Sequence, residues 1–186
     1  MSVLNVLKIT LYFFGIWTWI RSVESWSQTY DYKSIAVNNN PGKVFVPNLK
    51  LVGRKRLING TIDILEDLDN EYQISVEVFS NAAGAGYKQM PLEIAPLAVC
   101  TTLRNFYQRF IKKSFVTGVT TDVDFEDGKL CPIPKGNHYL KNLELDSSDW
   151  AVILPRGLIK VRLNVMKVAE FCGGFDYIVE IKDKLI

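Results

Sequence analysis

The sequence predicts a mainly β protein, an antiparallel sandwich or cup carrying one amphipathic helix. Three observations predict it. Several segments alternate apolar and polar residues with period two, as half-buried strands do. They are separated by Asn-, Asp-, Gly- and Pro-rich turn signals. Only one segment, following Pro96, places apolar residues at three- and four-residue steps.

The elements follow in order. Met1–Lys8 is short and carries one cation, Ile9–Ile20 is almost wholly apolar, and Val23-Glu24-Ser25 offers modest side chains. This is the layout of a secretory signal over 1–25. The apolar run is too short for a membrane anchor, which needs roughly 20 residues. A single domain over 26–186 follows, with no second run of spanning length. Residues 27–43, including Asn38-Asn39-Asn40-Pro41-Gly42, read as a loosely held arm with a short strand. From Val44 to Leu65 the pattern is strand-like. Ile58, Ile62 and Ile64 share one parity, while Asn59, Thr61 and Asp63 share the other. The isoleucines are expected inward, and the Asn59-Gly60-Thr61 glycosylation sequon outward.

Asp67-Leu68-Asp69-Asn70 reads as a turn, and Tyr72, Ile74, Val76 and Val78 alternate as the next strand. A hairpin between these two strands is expected. Asn81–Gly86 is a small-residue loop. The helix follows, with Leu97, Cys100, Leu103, Phe106, Tyr107, Phe110 and Ile111 on one face and Arg104, Gln108, Arg109, Lys112 and Lys113 on the other. Pro96 suits its first position, and the two lysines suit the negative end of its dipole. Residues 115–130 read as a loop with a short strand, and 131–136 as a rigid turn. Tyr139–Leu145 reads as a strand. Ile159, Val161, Leu163 and Val165 alternate. So do Phe175, Tyr177, Val179 and Ile181 after a turn placed at Cys172-Gly173-Gly174. These last two strands are expected to form a terminal hairpin.

The chain has 22 basic and 20 acidic side chains. That balance gives no electrostatic case for nucleic acid or an anionic membrane surface. Three cysteines, Cys100, Cys131 and Cys172, allow three pairings with one thiol left over. Cys172 is expected to be a buried or inert thiol, with an intermolecular bridge as its alternative. One histidine, His138, and dispersed cysteines make no zinc site, and no metal or cofactor is expected. No Gly-x-Ser-x-Gly elbow or phosphate-cradling glycine loop occurs. The pattern therefore favours a binding module over an enzyme. An all-β domain of this kind either closes its apolar faces on each other or parts them around an apolar ligand.

Two stretches carry a family resemblance. The first runs from Arg54 through Asn59-Gly60-Thr61 to Asp67-Leu68-Asp69-Asn70. The second is the order of Cys100 with Phe106-Tyr107, Cys131-Pro132 with Gly136, Tyr139 and Asn142, then Leu154-Pro155-Arg156-Gly157. Together they resemble the insect chemosensory-B family of secreted proteins, which is similar to the ganglioside-activator and other ML-type lipid-recognition proteins. The resemblance covers roughly residues 44–183. It implies a β-cup with an apolar cavity, no catalysis, and a role in detecting hydrophobic cues such as cuticular pheromones. It also implies a Cys100–Cys131 disulfide.

The resemblance carries no transferable ligand motif, so pattern supplies the candidate ligand contacts: Ile74, Val76, Val78, Phe106, Phe110, Trp150, Val161 and Leu163. Each has simple core packing as its competing role. The resulting expectation is a secreted, extracellular carrier or sensor of a hydrophobic small molecule or lipid, acting with a sensory membrane receptor or channel. Its alternatives are an extracellular interaction protein with a filled core that modulates such a channel or receptor, and a secreted hydrolase that would have to use His138.

Overall fold

The computed structural model describes residues 28–82, 84 and 86–184. The expected signal segment over 1–25 lies outside the described residues. Eight strands form two antiparallel sheets: β1 (Tyr30–Asn40), β2 (Phe45–Val52), β3 (Leu57–Ile64), β4 (Tyr72–Asn81), β5 (Lys88–Ala98), β6 (Gly136–Leu143), β7 (Gly157–Lys167) and β8 (Glu170–Asp183). The larger sheet has the order β1-β8-β7-β4-β5, and the smaller β2-β3-β6. The mainly β sandwich with one short helix is as the alternation predicts.

Four expectations are corrected. The segment read as an arm is β1, an eleven-residue strand paired along β8, with Tyr30 buried. Its signal was masked by a run of Asn residues, which tolerate a strand edge when a partner supplies the ladder. The strands on either side of Asp67–Asn70 do not form a hairpin. β3 pairs with β2 and β6, whereas β4 pairs with β5 and β7. The reason is Leu68, which is fully buried and exchanges two backbone hydrogen bonds with Ile133. Asp67 also accepts the Lys135 amide at 2.7 Å. The connection is thereby docked on the Cys131–Lys135 turn and carries the chain from one sheet to the other.

The helix, α1 (Val99–Phe106), begins after β5. Pro96 therefore lies in an edge strand, where its missing N–H costs nothing. The helix continues as a widened π segment, Tyr107–Ile111, closed by Lys112 N–H donating to the Tyr107 carbonyl at 2.9 Å. Finally, Cys172-Gly173-Gly174 is not the β7–β8 turn. That turn lies at Val168-Ala169, and the three residues belong to β8. Cys172 is an unbridged thiol, buried at 6% exposure, which matches the buried-thiol expectation.

Along one side the two sheets meet strand to strand. The edge strands β1 and β2 meet there, and β2 also lies against β8. Three contacts make the seam. Arg56, in the β2–β3 turn, donates through Nε to the Ser34 carbonyl at 2.8 Å and through Nη2 to the Ile35 carbonyl. A register shift in β1 between Ser34 and Ala36 lies at this point. Asn39 acts as a peptide mimic: its Oδ1 accepts the Leu49 amide at 3.0 Å, and its Nδ2 donates to the Leu49 carbonyl at 2.9 Å. At the far end Val44 N–H donates to the Cys172 carbonyl at 3.2 Å. There Gly173, at φ +136°, approaches so closely that a Cβ would stand 1.9 Å from the Phe45 carbonyl oxygen.

Candidate functional site

The other end of the larger sheet, with β7, β4 and β5, is built differently. Two buried clusters hold the molecule. One gathers Tyr30, Leu49, Ile58, Ile159, Tyr177 and Val179. The other gathers Phe45, Ile64, Leu68, Tyr72, Leu103 and Val165. Between them the inward face of the larger sheet is less covered. Along β7, Ile159 and Val165 are buried while Val161 and Leu163 between them are half-buried. Along β4, Tyr72 is buried while Ile74, Val76 and Val78 are half-buried. These residues face one another across the ladder as Val78–Val161, Val76–Leu163 and Ile74–Val165. Side chains on one face in direct register form one continuous apolar surface. The result is a half-buried apolar face.

The helix forms the adjacent wall, packing on β4 and β5. It rests on Gly128, where a Cβ would come within 2.8 Å of the Tyr107 Cβ. Cys100 and Cys131 are bridged, with Cα atoms 5.5 Å apart, which ties the helix to the turn before β6. At its other end Lys113 reaches Asp149 at 2.6 Å and Ser148 at 2.7 Å. The π segment explains why the predicted apolar stripe breaks. Tyr107 turns inward onto Phe125, with ring centroids 5.7 Å apart, whereas Phe110 is left 39% exposed.

The eight candidate contacts divide accordingly. Ile74, Val76, Val78, Val161 and Leu163 are brought together on one face. Ile74, Val78, Val161 and Leu163 also pack against a buried cluster, and Val76 does not. Phe106 and Phe110 form a separate aromatic pair on the helix, centroids 6.2 Å apart, with the Arg109 guanidinium 5.1 Å from the Phe110 ring. Trp150 is elsewhere. Its ring lies 4.8 Å from that of Tyr32 on β1, three strands from β4, and it packs against the first cluster. Ile94 joins the face opposite Val76 and was missed. Prolines at 91 and 96 and two register shifts break the period-two pattern of β5.

Residues 74–161 match the model of a family described as a protein of unknown function, DUF1091. The DUF1091 segment runs from β4 through β5, the helix, the disulfide and β6 into β7. It thus contains seven of the eight candidate contacts, with Leu163 just beyond its end. The seam along β1 and β2 lies outside it. A search of curated proteins found no match.

Other chemistry-bearing residues are engaged structurally. His138 Nε2 donates to the Pro134 carbonyl at 2.9 Å, and Nδ1 faces Asp122 Oδ2 at 3.1 Å. Asp122 Oδ1 accepts the Tyr139 amide at 2.8 Å. The imidazole thus straps the 115–130 loop to β6, and both its nitrogens are occupied by acceptors. Asn59 is half-exposed; its Oδ1 accepts the Asn142 amide at 3.1 Å and its Nδ2 donates to Asn142 at 3.3 Å. A glycosylated amide keeps one N–H, so this strand-to-strand bond is compatible with a glycan. Among the described residues no cluster of His, Cys, Asp and Glu could hold a metal ion, and no helix is long and apolar enough to cross a membrane.

Proposed function

We propose that the protein is a secreted carrier or sensor that binds a hydrophobic small molecule or lipid without altering it, in chemosensation. One observation carries this reading. The middle of the β4–β7 inner face is apolar, in register, and only half-buried between two well-packed clusters. Burying that face against a ligand removes water from hydrocarbon on both sides, worth about 0.8 kcal/mol per CH₂. The resemblance to the insect chemosensory-B and ML-type proteins supports the same class of ligand and an extracellular setting. A sensory receptor or channel would be the recipient of the signal.

The test is displacement of a fluorescent fatty probe from the purified protein, with mass spectrometry of co-purified lipid. Val76→Asp places a carboxylate on the face at the position that packs against neither cluster. It is expected to weaken probe retention at least about tenfold, a loss of roughly 1.4 kcal/mol, while circular dichroism stays unchanged. Failure of the unmodified protein to retain any lipid from a broad extract would sink the reading.

A further inference from the structure

A concavity lies beside the seam between the sheets, away from the β4–β7 apolar face. It has a volume of about 220 Å³ and is bordered by the β2–β3 turn, β1 and the end of β6. Four cationic residues, Lys33, Arg54, Lys55 and Arg56, line it against one carboxylate, Glu144; the buried core residue Leu143 lines it too. Among the described residues none of the four cations makes an ion pair. The carboxylate opposite Lys33 in the ladder, Glu180, is tied to Lys182 at 3.0 Å.

Arg56 is held in place by its bonds to the Ser34 and Ile35 carbonyls. Neutral carbonyls orient a guanidinium without cancelling its charge. Its position is therefore set before any ligand arrives, which removes part of the ordering cost of binding. A planar guanidinium matches the oxygens of a phosphate or sulfate, and such charge-assisted bonds are the strong ones. The volume is below the roughly 300 Å³ at which drug-sized ligand sites begin. It suits an ionic headgroup rather than a hydrocarbon chain.

We propose that this pocket binds a tetrahedral oxyanion, the phosphate or sulfate group of a monoester. The proposal does not depend on what the β4–β7 apolar face binds. The monoester could be a free small molecule or the headgroup of an anionic lipid, and two arms of one experiment separate them. Inorganic phosphate and glycerol phosphate are titrated calorimetrically into the full chain. In parallel, the protein is floated with phosphatidylcholine vesicles with and without phosphatidic acid.

Arg54→Gln/Lys55→Gln alters two exposed turn residues. Lys50→Gln/Lys129→Gln removes the same charge at exposed sites outside the pocket. The first variant is expected to weaken oxyanion binding at least about tenfold, as the loss of one charge-assisted bond would. The second is expected to change it less than about twofold, as for screened charges beyond contact. Binding of soluble esters alone assigns a free ligand, and binding of phosphatidic acid vesicles alone assigns a lipid headgroup. No saturable binding in either arm, or equal losses in the two variants, overturns the proposal.

Discussion

Asn39 shows how much one side chain can do at a sheet edge. It stands in β1, yet it satisfies both the amide and the carbonyl of Leu49 in the other sheet. An edge strand otherwise presents unpaired backbone groups. Asn39→Ala would leave both groups of a buried residue without their partner, at about 1–3 kcal/mol for an unsatisfied buried group. A urea titration is expected to show a lower midpoint with an unchanged slope, because the surface exposed on unfolding is the same. Asn39→Asp is an informative companion, since it keeps the acceptor and loses the donor. Neither role was legible in the sequence, where Asn38-Asn39-Asn40 reads as a turn signal. A polar residue's reach across to another sheet has no local signature.

At the scale of elements, the strands were largely legible and their pairing was not. Period-two alternation located β3, β4, β7 and β8, because each has one apolar face turned inward. Which strands lie side by side depends on where each connection docks, and Leu68 decided that by pairing with Ile133. The candidate contacts divide in the same way. The five strand residues share one face, as alternation expects, while Phe106 and Phe110 form a separate pair where the π segment rotates the helical stripe. The helix is fixed to the turn before β6 by Cys100–Cys131, separated by 31 positions. On the loop-entropy account, closing that loop contributes between about 3 and 4.7 kcal/mol. Cys100→Ser/Cys131→Ser is therefore expected to lower the thermal midpoint. It should also raise hydrogen exchange in the helix more than in β7 and β8.

At the scale of the whole molecule, buried tyrosines make stability depend on alkaline pH. Burial raises the phenols of Tyr30, Tyr72 and Tyr177 above their ordinary value of 10.0. Their hydroxyls bond Ala151, Glu66 and Ser34 respectively. An unfolded chain releases these protons first as pH rises past 10, so the folded state then holds more protons than the unfolded one. The stabilisation is complete below about pH 10 and is lost as pH climbs through the raised folded values. The urea midpoint is expected to fall steeply above that pH, and tyrosinate absorbance should appear together with unfolding. A midpoint insensitive to alkaline pH would contradict the assignment.

The pairing of β1 with β8 also sets a timetable. Ser34 and Tyr177 are bonded across 143 positions of chain. At roughly 5–20 residues per second of synthesis, β1 leaves the ribosome about 7–30 seconds before the strand that completes it. Over that interval β1 lacks the ladder partner that its tyrosines join, although Leu49, the partner of Asn39, follows within ten positions. Closure of the larger sheet is therefore a late event that follows the emergence of β8.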